Sequence, residues 1–439
     1  MMRLFHKLLP KRVVRWYRRG RAWMAQAMNG FPQKKLIIVG VTGTDGKTTV
    51  VNLVGHIVRT TGKKVGWIST LGAQIGDTFI ETGAHTTTVD PFTFYVLLGR
   101  MVKEHCELVV VELTSHALDQ ERVGKLPLAA GIITNITHEH LDYHQSLMAY
   151  MSAKAKLFAL IARGKRAHKG SGIVVLNCED ATFSSLSHLA RAFHGLKVFT
   201  YGLGSGDVHG ERIEETLEYL TFTLVTAYGH HTLRTRLIGD YNLRNILSAA
   251  ALAHVCEVPW EKIHEGIETF QPLSGRLERI EQGQPFSVFV DFAHTPNALR
   301  EVLTLLRRHA KAKITVVFGA AGERDKSKRS LMGEVVAQFA DRVYLTEEDP
   351  RSESVEAISQ MIAQGMAMKG WKQNERYWLI PDRRIAIQTA LERATSDDIV
   401  LLAGKGHERM MAMDHGVDKP WDDREVAREE LEKLGWRPL

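Results

Sequence analysis

The feature that most restricts the fold of this 439-residue chain is a glycine loop between a strand pattern and a helical pattern. The run Gly43-Thr44-Asp45-Gly46-Lys47-Thr48-Thr49 follows the apolar residues 36–39 and opens a helical pattern. Glycines let backbone N–H groups approach phosphate oxygens, and the positive end of the helix dipole favours the same anion. Lys47 adds a point charge, and the Thr48 hydroxyl can hold Mg²⁺. The run departs from the strict pattern G-x-x-x-x-G-K-[ST] at Val41 and still predicts a bound nucleoside triphosphate.

Short apolar runs alternate with helical patterns, which is typical of mostly parallel sheets with crossover helices. The first set lies at 36–41, 108–113, 131–136, 173–177 and 197–201. The second set lies at 288–292, 314–318, 343–346, 377–380 and 399–403. We therefore predict an α/β fold, in which a P-loop central domain has a parallel sheet and a C-terminal domain is doubly wound and Rossmann-like. In such folds the chemistry lies in loops at the carboxyl ends of the strands.

The segment between the two sets has a different pattern. Alternating residues at 221–225 and 232–237 flank Gly229-His230-His231, which predicts an antiparallel hairpin or meander. A helical pattern follows at about 242–256, and Pro272-Leu273-Ser274-Gly275 predicts a hinge. The expected organisation is a leader at 1–35, a nucleotide-binding domain at 36–272 and a second domain at 273–439.

Positive charge is concentrated at the start of the chain. The formal net charge is +7, but residues 1–35 contain ten Lys and Arg and no Asp or Glu, so the other 404 residues sum to −3. This leader has neither a clean apolar segment nor a small-residue cleavage site, which argues against a secretory signal. Its cations interleave with apolar residues such as Trp16, Tyr17 and Trp23. The pattern predicts a basic amphipathic helix that is broken near Pro10.

Composition leaves three roles for the leader: a solvated helix packed on the body, a peripheral contact of residues 1–30 with an anionic membrane, or a contact with an anionic substrate. No base-reading motif accompanies the charge, so we expect no nucleic-acid partner. Cys106, Cys178 and Cys256 form no C-x-x-C pair, which disfavours both a disulfide framework and a zinc site. No apolar run approaches the ~18 residues of a membrane span. We expect a cytoplasmic protein.

Acidic and histidine side chains follow two of the predicted strands. Glu112 ends the apolar run 108–111, where a P-loop domain places a metal-binding carboxylate. The loop 134–144 follows the next strand pattern and contains three histidines and two acids. Oxygen ligands from Glu112 and Thr48 suit Mg²⁺. The histidine cluster indicates a metal or phosphate role, although histidine is a less usual ligand of Mg²⁺.

Eight ordered stretches between about residues 36 and 435 resemble the Mur ligases, and most of all those that add the third amino acid of the peptidoglycan stem peptide. The stretches are 42–49, Glu112 with 115–118, 142–144, 239–245, 275–278, 291–296, 322–326 and 403–408. A single such motif is a weak signal, whereas eight in order make coincidence negligible.

The resemblance implies residues that bind ATP and Mg²⁺. The positions that match ATP contacts are Gly43, Thr44, Asp45, Gly46, Lys47, Thr48, Thr49, Asn242, Asn245, Arg276, Asp291 and His294. The implied metal ligands are Thr48, Glu112, His140 and Lys154, of which Lys154 matches a lysine that is carbamylated in the family. Lys47, Glu112, His140 and Lys154 are the implied catalytic residues. Since some ATP contacts follow the predicted hinge, we expect domain closure around the nucleotide.

The resemblance also implies two groups of substrate contacts. The positions that match muramoyl-peptide contacts are Thr86, Thr87, Thr114, Gln120 and Arg122. Those that match the amino-acid specificity region are Arg324, Asp349, Arg351, Gly404 and Glu408. Where the family's diaminopimelate type has Asp-Asn-Pro-Arg, this chain has 348–351 as Glu-Asp-Pro-Arg. Arg351 can hold a carboxylate bidentately, and an acid at Asp349 favours an ammonium partner, so we expect a diamino acid such as diaminopimelate or lysine.

The chain departs from the family pattern in several places. Asp45 replaces the usual Asn, Thr88 a common Pro and Glu139 the usual Asp. The family's N-terminal UDP-binding domain has no counterpart, since only the basic leader precedes the glycine loop. Either the leader's arginines neutralise a pyrophosphate in place of that domain, or the substrate is not a UDP-sugar, and a lipid-linked precursor suits both the cations and the aromatic residues.

The implied reaction is ATP-dependent amide formation through an acyl phosphate, with a muramoyl-peptide precursor and a free amino acid as partners and a monomer as the working form. One alternative is a related amide ligase acting on a non-murein acidic peptide or polyglutamate. A second alternative, a P-loop switch, lacks the guanine-reading Asn-Lys-x-Asp motif.

Overall fold

The chain forms two compact units in the computed structural model, which describes residues 11–82, 90–137, 141–167, 172–193 and 195–437. The first unit contains Met1–His138 and His144–Phe270, and the second contains Glu139–Tyr143 and Gln271–Leu439. Each unit has its own sheet and its own apolar core. Within the described ranges, we find no helix both long and apolar enough to cross a membrane.

The first unit is built on an eleven-stranded sheet with the order β11-β10-β9-β8-β7-β6-β1-β5-β2-β3-β4. Its strands are β1 Ile37–Thr42, β2 Val65–Ser69, β3 Gly72–Ile75, β4 Thr78–Ile80, β5 Leu108–Glu112, β6 Ala130–Ile133, β7 Ile173–Asn177, β8 Lys197–Gly202, β9 Val208–Glu215, β10 Leu220–Thr226 and β11 Gly229–Thr235. The central strands pair in parallel, and both edges end in antiparallel strands. The central strands are mainly apolar, which is typical of parallel strands covered by helices on both faces, and β1, β5 and β7 end in the polar residues Thr42, Glu112 and Asn177.

Strand β1 lies where the strand order reverses, between β5 and β6. In parallel sheets the carboxyl ends at such a reversal line a crevice in which ligands bind. The loops that follow β1, β5 and β6 therefore converge at one edge. They carry the glycine loop, Glu112 and the loop that begins at Thr134.

The helices of the first unit are α1 Lys11–Met28, α2 Lys47–Arg59, α3 Pro91–Lys103, α4 Ser115–Asp119, α6 Leu147–Arg166, α7 Phe183–Ala192, α8 Asp240–Val255 and α9 Trp260–Thr269. The short α5 spans Leu141–His144, of which residues 141–143 are assigned to the second unit. Several of these helices are preceded by an N-cap residue whose side chain accepts a hydrogen bond from a backbone N–H group of the first turn. Asp90 accepts from Phe92 N at the start of α3, and Ser146 accepts from Ala149 N at the start of α6. Each such cap contributes about 1 kcal/mol to helix stability.

The second unit has a six-stranded sheet with the order β12-β13-β17-β14-β15-β16, parallel except for the edge strand β12. Its strands are β12 Glu278–Ile280, β13 Ser287–Asp291, β14 Ile314–Phe318, β15 Arg342–Leu345, β16 Tyr377–Leu379 and β17 Ile399–Ala403, and a small hairpin is formed by β18 Met410–Ala412 and β19 Asp418–Pro420. Its helices are α10 Pro296–His309, α11 Ser327–Phe339, α12 Val355–Met368, α13 Arg383–Glu392 and α14 Asp423–Lys433.

The predicted α/β fold is confirmed, as is the antiparallel meander, which consists of β9, β10 and β11. Strands β2 to β4, β9, β12, β18 and β19 were not predicted from the sequence. The cysteines are free thiols, of which Cys106 is buried whereas Cys178 and Cys256 are half-buried.

Candidate functional site

The glycine loop between β1 and α2 is held in shape by the loop that follows β6. Asn135 Oδ1 accepts hydrogen bonds from the backbone N–H groups of Thr44 at 3.1 Å and Asp45 at 2.9 Å. The Thr134 hydroxyl donates to the Asp45 carbonyl at 2.7 Å. Lys47 Nζ donates to the Thr44 carbonyl at 2.7 Å. The loop amides and the lysine are therefore gathered at one place, as a phosphate cradle requires.

Two glycines of this loop are required by close approach and backbone conformation. Gly46 has φ +80°, and a Cβ there would lie 2.1 Å from Asn245 Oδ1. Gly43 has φ +154°, and a Cβ there would lie 1.8 Å from Thr134 Oγ1. Any larger residue would have to displace these neighbours.

Asn242 and Asn245, which match ATP contacts, extend from the first turns of α8 towards the glycine loop. Asn245 Nδ2 donates to Asn242 Oδ1 at 3.3 Å, and Asn242 Nδ2 donates to the Ile238 carbonyl at 2.8 Å. Both side chains are buried. This chain of amides fixes Asn245 against Gly46, so the structure brings the two asparagines to the predicted nucleotide site.

Glu112, at the end of β5, lies among hydroxyl groups beside the first turn of α2. Thr48 Oγ1 donates to Glu112 Oε2 at 3.0 Å, and the Thr70 backbone N–H donates to the same oxygen at 3.0 Å. Thr70 Oγ1 lies 3.2 Å from each carboxylate oxygen. The carboxylate is only 2% exposed, so it is a fixed anion rather than a surface charge.

This group of oxygens fits Mg²⁺, which takes one or two carboxylates together with phosphate oxygens and water in nucleotide sites. Across the described ranges, no three His, Cys, Asp or Glu side chains come together as a metal site. The fit therefore rests on Glu112 and the Thr48 and Thr70 hydroxyls. Of the other implied ligands, His140 lies outside the described residues.

Lys154 extends from α6 to the glycine loop. Its Nζ donates to the Gly43 carbonyl at 2.6 Å and lies 4.4 Å from the centre of the Tyr150 ring. The Tyr150 hydroxyl is 3.2 Å from Thr44 Oγ1, so the same helix contacts the loop twice. A buried ammonium is costly unless it is hydrogen-bonded, which makes this position unusual for a helix lysine. Carbamylation of Lys154 stays a prediction.

Of the three histidines at 138–144, only His144 lies among the described residues. Its Nε2 is 3.0 Å from Ser115 Oγ, and its ring packs against His116 and Tyr150 at centroid distances of 5.5 and 5.2 Å. Its described contacts join α4 to α6, which is a packing role.

The described muramoyl-peptide contacts implied by the resemblance lie immediately before and after α4. Thr114 Oγ1 accepts from Ala117 N at 3.1 Å and caps this helix. Arg122 Nε donates to Gln120 Oε1 at 3.0 Å, so these two side chains are adjacent in the turn after α4. Thr86 and Thr87 lie outside the described residues. Thr49 lies buried in the first turn of α2.

In the second unit, Asp291 is the last residue of β13, and its carboxylate binds backbone N–H groups of two neighbouring segments. Its carboxylate accepts from Leu277 N at 2.6 Å and from Ala293 N at 2.7 Å. Burial raises the pKa of the Asp291 carboxyl above its ordinary value, although Arg276 and the two backbone donors oppose the shift. The Arg276 guanidinium lies over the Phe292 ring at 4.6 Å. The carbonyl of Phe292 is 2.8 Å from His294 Nδ1, so Arg276, Asp291 and His294 share one loop cluster.

The implied amino-acid contacts of the second unit centre on Lys405, which the sequence analysis did not assign to the site. Lys405 Nζ donates to Asp349 Oδ1 at 2.7 Å, to Glu408 Oε2 at 2.6 Å and to the Met410 carbonyl at 2.7 Å. Arg351 Nη2 lies 3.5 Å from Asp349 Oδ2. Burial alone would raise the pKa of the Asp349 carboxyl, but Lys405 and Arg351 hold it below its ordinary value.

These contacts change the interpretation of Asp349. The ammonium group that pairs with this acid is the chain's own Lys405, so the acid is not by itself an argument for a diamino substrate. Gly404 has φ +106°, and a Cβ there would lie 2.2 Å from Glu348 Oε2. Arg324, by contrast, is exposed in the turn before α11.

Sequence reasoning missed Thr70, Asn135 and Lys405. Thr70 follows β2, a short glycine-containing strand that carries little periodic signal. Asn135 lies in the loop 134–144 and Lys405 in the stretch 403–408, so their position after a strand was the available signal.

Comparison with known proteins identifies two family models. Residues 41–253 match the Mur ligase middle domain, and residues 275–406 match the Mur ligase, glutamate ligase domain. The UDP-N-acetylmuramoyl-L-alanyl-D-glutamate–2,6-diaminopimelate ligase of Geobacillus kaustophilus (strain HTA426) is 36% identical, over 97% of this chain and 85% of that protein. The UDP-N-acetylmuramyl-tripeptide synthetase of Roseiflexus sp. (strain RS-1) is 37% identical, over 94% of this chain and 82% of that protein.

Solved structures give the same fold. A UDP-N-acetylmuramoyl-L-alanyl-D-glutamate–2,6-diaminopimelate ligase superposes with a TM-score of 0.63 at 29% identity, covering 95% of this chain and 83% of the other. The folylpolyglutamate synthase of Mycobacterium tuberculosis superposes with a TM-score of 0.71 at 16% identity, covering 88% and 92%. At 16% identity the likeness concerns the fold alone.

Proposed function

We propose, because this chain belongs to the Mur ligase family of ATP-dependent amide ligases, that it adds an amino acid to a muramoyl-peptide precursor of peptidoglycan. The relatives named above join 2,6-diaminopimelate or form a muramyl tripeptide, so we propose a diamino acid such as diaminopimelate or lysine as the added residue. ATP and Mg²⁺ are the proposed cosubstrate and metal.

The observation that carries this proposal is the contact of Glu112 with Thr48 and Thr70 at the base of the glycine loop. It combines a phosphate cradle with a buried carboxylate and hydroxyls suited to a hard cation. A bound Mg²⁺ would neutralise charge on the transferred phosphoryl group. Thr48 and Glu112 would hold that ion, and Lys47 would turn from the Thr44 carbonyl to the phosphates.

The proposed reaction has two steps. A carboxylate oxygen of the peptide attacks the γ-phosphorus of ATP, the bond to the β-phosphate oxygen breaks, and an acyl phosphate and ADP form. The amine of the incoming amino acid then attacks the acyl carbon, loses a proton, and inorganic phosphate leaves. Lys47 and the loop amides act by stabilising charge and by positioning, which are the main contributions in phosphoryl transfer.

The remaining features are proposed on the same basis. We propose that Arg351 holds a carboxylate of the incoming amino acid, since its guanidinium lies beside the buried Lys405 group. We also propose a cytoplasmic monomer that binds no nucleic acid and that contacts an anionic membrane peripherally through residues 1–30.

The test is phosphate release from a substrate panel. UDP-muramoyl-dipeptide and its lipid-linked form are each combined with diaminopimelate, lysine or ornithine, and an acidic polyglutamate peptide is the non-murein arm. We expect amino-acid-dependent phosphate release with a muramoyl peptide. Release with polyglutamate alone would favour the non-murein ligase, and no release with any pair would overturn the proposal.

Lys47→Ala tests the glycine loop within the same assay. We expect kcat to fall by about 10² to 10³, because one preorganised charge stabiliser is lost at the transferring phosphoryl group. Lys63→Ala is the control, since that exposed lysine lies beyond the end of α2. Equal rates for the two variants would contradict the assigned role of Lys47.

A further inference from the structure

Helix α1 has two faces, and only one of them packs on the first unit. Ala22, Ala25 and Gln26 are buried, and the helix contacts α3. Gln26 Oε1 accepts from Gln33 Nε2 at 2.8 Å, which ties the end of the helix to the following turn. The buried face is thus formed by small residues and one satisfied amide, and it accounts for the position of the helix.

The other face is apolar and exposed. Its large side chains recur at helical spacing and are Val13, Trp16, Tyr17, Trp23, Met24 and Met28. Gly20 and Ala27 complete the spacing i, i+3, i+4, i+7, so the residues form one continuous stripe. Trp16 is 81% exposed, Trp23 62% and Met28 73%, values unusual for large apolar side chains in one patch. We call these six side chains the α1 stripe.

Cations border the α1 stripe. The Arg21 guanidinium lies 6.0 Å from the centre of the Tyr17 ring, and Lys34 Nζ lies 4.7 Å from the centre of the Phe31 ring. Phe31 in turn packs edge to face with Trp23, at 6.5 Å between centroids. Residues 1–35 contain no acid, so the leader contributes only cations to this border, and one of them, Arg19, is paired with Glu121.

An exposed apolar stripe with tryptophans, on a helix whose described charged residues are all cations, has the chemistry of an interfacial helix. Such helices lie in the plane of a membrane with the apolar face among the headgroups and upper acyl chains. Tryptophan and tyrosine favour this depth, and Lys or Arg near an anionic surface adds about 1 kcal/mol each. A second copy of this chain would place the same cations against one another, which is unfavourable.

We propose that the α1 stripe docks on an anionic phospholipid surface. Helix α1 also contacts the turn after α4, because the Arg19 guanidinium forms a bidentate ion pair with Glu121. Glu121 lies between Gln120 and Arg122, which match muramoyl-peptide contacts. Docking would therefore hold the turn after α4 near the lipid, where a lipid-linked precursor presents its peptide. This consequence rests on the proposed ligase activity, whereas the docking surface does not depend on that activity and specifies which side chains make the membrane contact proposed above.

The test is co-sedimentation of the full chain with vesicles of phosphatidylcholine, either alone or with about a third of phosphatidylglycerol. We expect binding to the anionic vesicles only, and weaker binding as salt is added. The variant Trp16→Ser, Trp23→Ser, Met24→Ser should bind at least about tenfold more weakly, because it removes most of the inserted apolar area. The control Leu331→Ser, Met368→Ser removes exposed apolar side chains from the second unit and should bind like the parent.

Three results would overturn the proposal: equal binding to neutral and anionic vesicles, equal binding by the stripe variant, or a lipid-free dimer that the stripe variant abolishes. The ligase activity is tested separately, by phosphate release with a UDP-linked peptide in the absence of vesicles. The stripe variant should keep that rate and lose rate only on a vesicle-embedded precursor. If neither substrate is turned over, the proposed function fails while vesicle binding still decides the docking surface.

Discussion

Gly46 combines a backbone requirement with a contact to a second helix. Its left-handed conformation favours glycine, and its missing Cβ leaves room for Asn245 from α8. Gly62 has nearly the same φ, +81° against +80°, but a Cβ there would meet nothing within 4 Å. Alanine substitutions at Gly46 and Gly62 therefore separate the free-energy cost of the left-handed conformation from the cost of losing the close contact with Asn245.

Gly46→Ala should weaken nucleotide binding by at least about tenfold, whereas Gly62→Ala should leave it unchanged. Both variants should lose about 1 kcal/mol of stability by placing a Cβ in the left-handed region, and Gly46→Ala should lose more because its Cβ also meets Asn245. Only Gly46→Ala displaces Asn245 from the glycine loop. Calorimetric titration with a non-hydrolysable ATP analogue measures the affinity, and unchanged binding by Gly46→Ala would refute the assigned nucleotide site.

The buried His407 should make the free energy of unfolding depend on pH. Burial lowers the pKa of the His407 imidazole to about 3, assisted by Arg276, Arg424, Lys405 and His294. The unfolded chain takes up a proton below the ordinary pKa of 6.5, whereas the folded chain does not until about pH 3. The free energy of unfolding should therefore fall as pH decreases between these values, by about 1.4 kcal/mol per pH unit.

His407→Gln should remove this dependence. Between pH 7 and pH 5 the parent should lose about 2 kcal/mol more stability than the variant, as measured by urea unfolding at both pH values. His415→Gln, which changes an exposed histidine of the same unit, controls for the loss of a histidine. Parallel pH profiles for the parent and His407→Gln would contradict the prediction.

At the scale of elements, α1 is joined to the turn after α4 by one ion pair. The Arg19 Nη2 to Glu121 Oε1 distance is 3.0 Å, and the Arg19 side chain is more than half exposed. Exposed ion pairs contribute about 0 to 1 kcal/mol, so this pair does little for global stability. Its effect should appear in the position of Gln120 and Arg122.

Arg19→Glu should raise KM for the muramoyl peptide several-fold and leave kcat and the KM for ATP unchanged, because it repels Glu121 and shifts the turn. The double variant Arg19→Glu, Glu121→Arg restores an attractive pair and should recover the parent's KM. Arg18→Glu, one residue earlier on the same helix, makes the same charge change and is the control. A rise in KM that the double variant fails to reverse would show that the pair does not position the turn.

At the scale of the whole molecule, each unit has an apolar core of its own. Leu157 of α6 is fully buried in the first core, and Ile387 of α13 in the second. Truncating either side chain to alanine should cost about 2 to 5 kcal/mol, from lost transfer energy and the remaining cavity. The two substitutions should lower the stability of different cooperative units, Leu157→Ala that of the first and Ile387→Ala that of the second.

Scanning calorimetry of Leu157→Ala and Ile387→Ala tests this arrangement. We expect two unfolding transitions, with Leu157→Ala lowering the midpoint of one and Ile387→Ala that of the other. An ATP analogue at about 100 times its Kd should stabilise the unit that contains Leu157 by up to about 2.7 kcal/mol. The midpoint of the transition that Leu157→Ala lowers should therefore rise. A single transition that both variants shift equally would refute independent cores.

The central strands could be predicted because the parallel strands are buried on both faces. Residues 108–111 of β5 and Ile399–Ala403 are buried along their whole length and appear as unbroken apolar runs. Strands β9 and β4 could not be predicted, because β9 carries charged residues on its exposed side and β4 has only three residues. The bounds at 1–35, 36–272 and 273–439 stay a prediction, as does the hinge.

The sequence by itself determined the alternation of the central strands with helices, the glycine loop and the family, because these depend on local periodicity and on short motifs. Only the tertiary structure decided which side chains meet: Thr70 with Glu112, Asn135 with the loop amides, and Lys405 with Asp349. These partners lie between 42 and 91 residues apart in the chain, and their contacts depend on strand order and on burial, which local patterns do not encode. The exposed stripe of α1 is the same kind of result, since the helical pattern gives two candidate faces and only packing on α3 shows which one is covered.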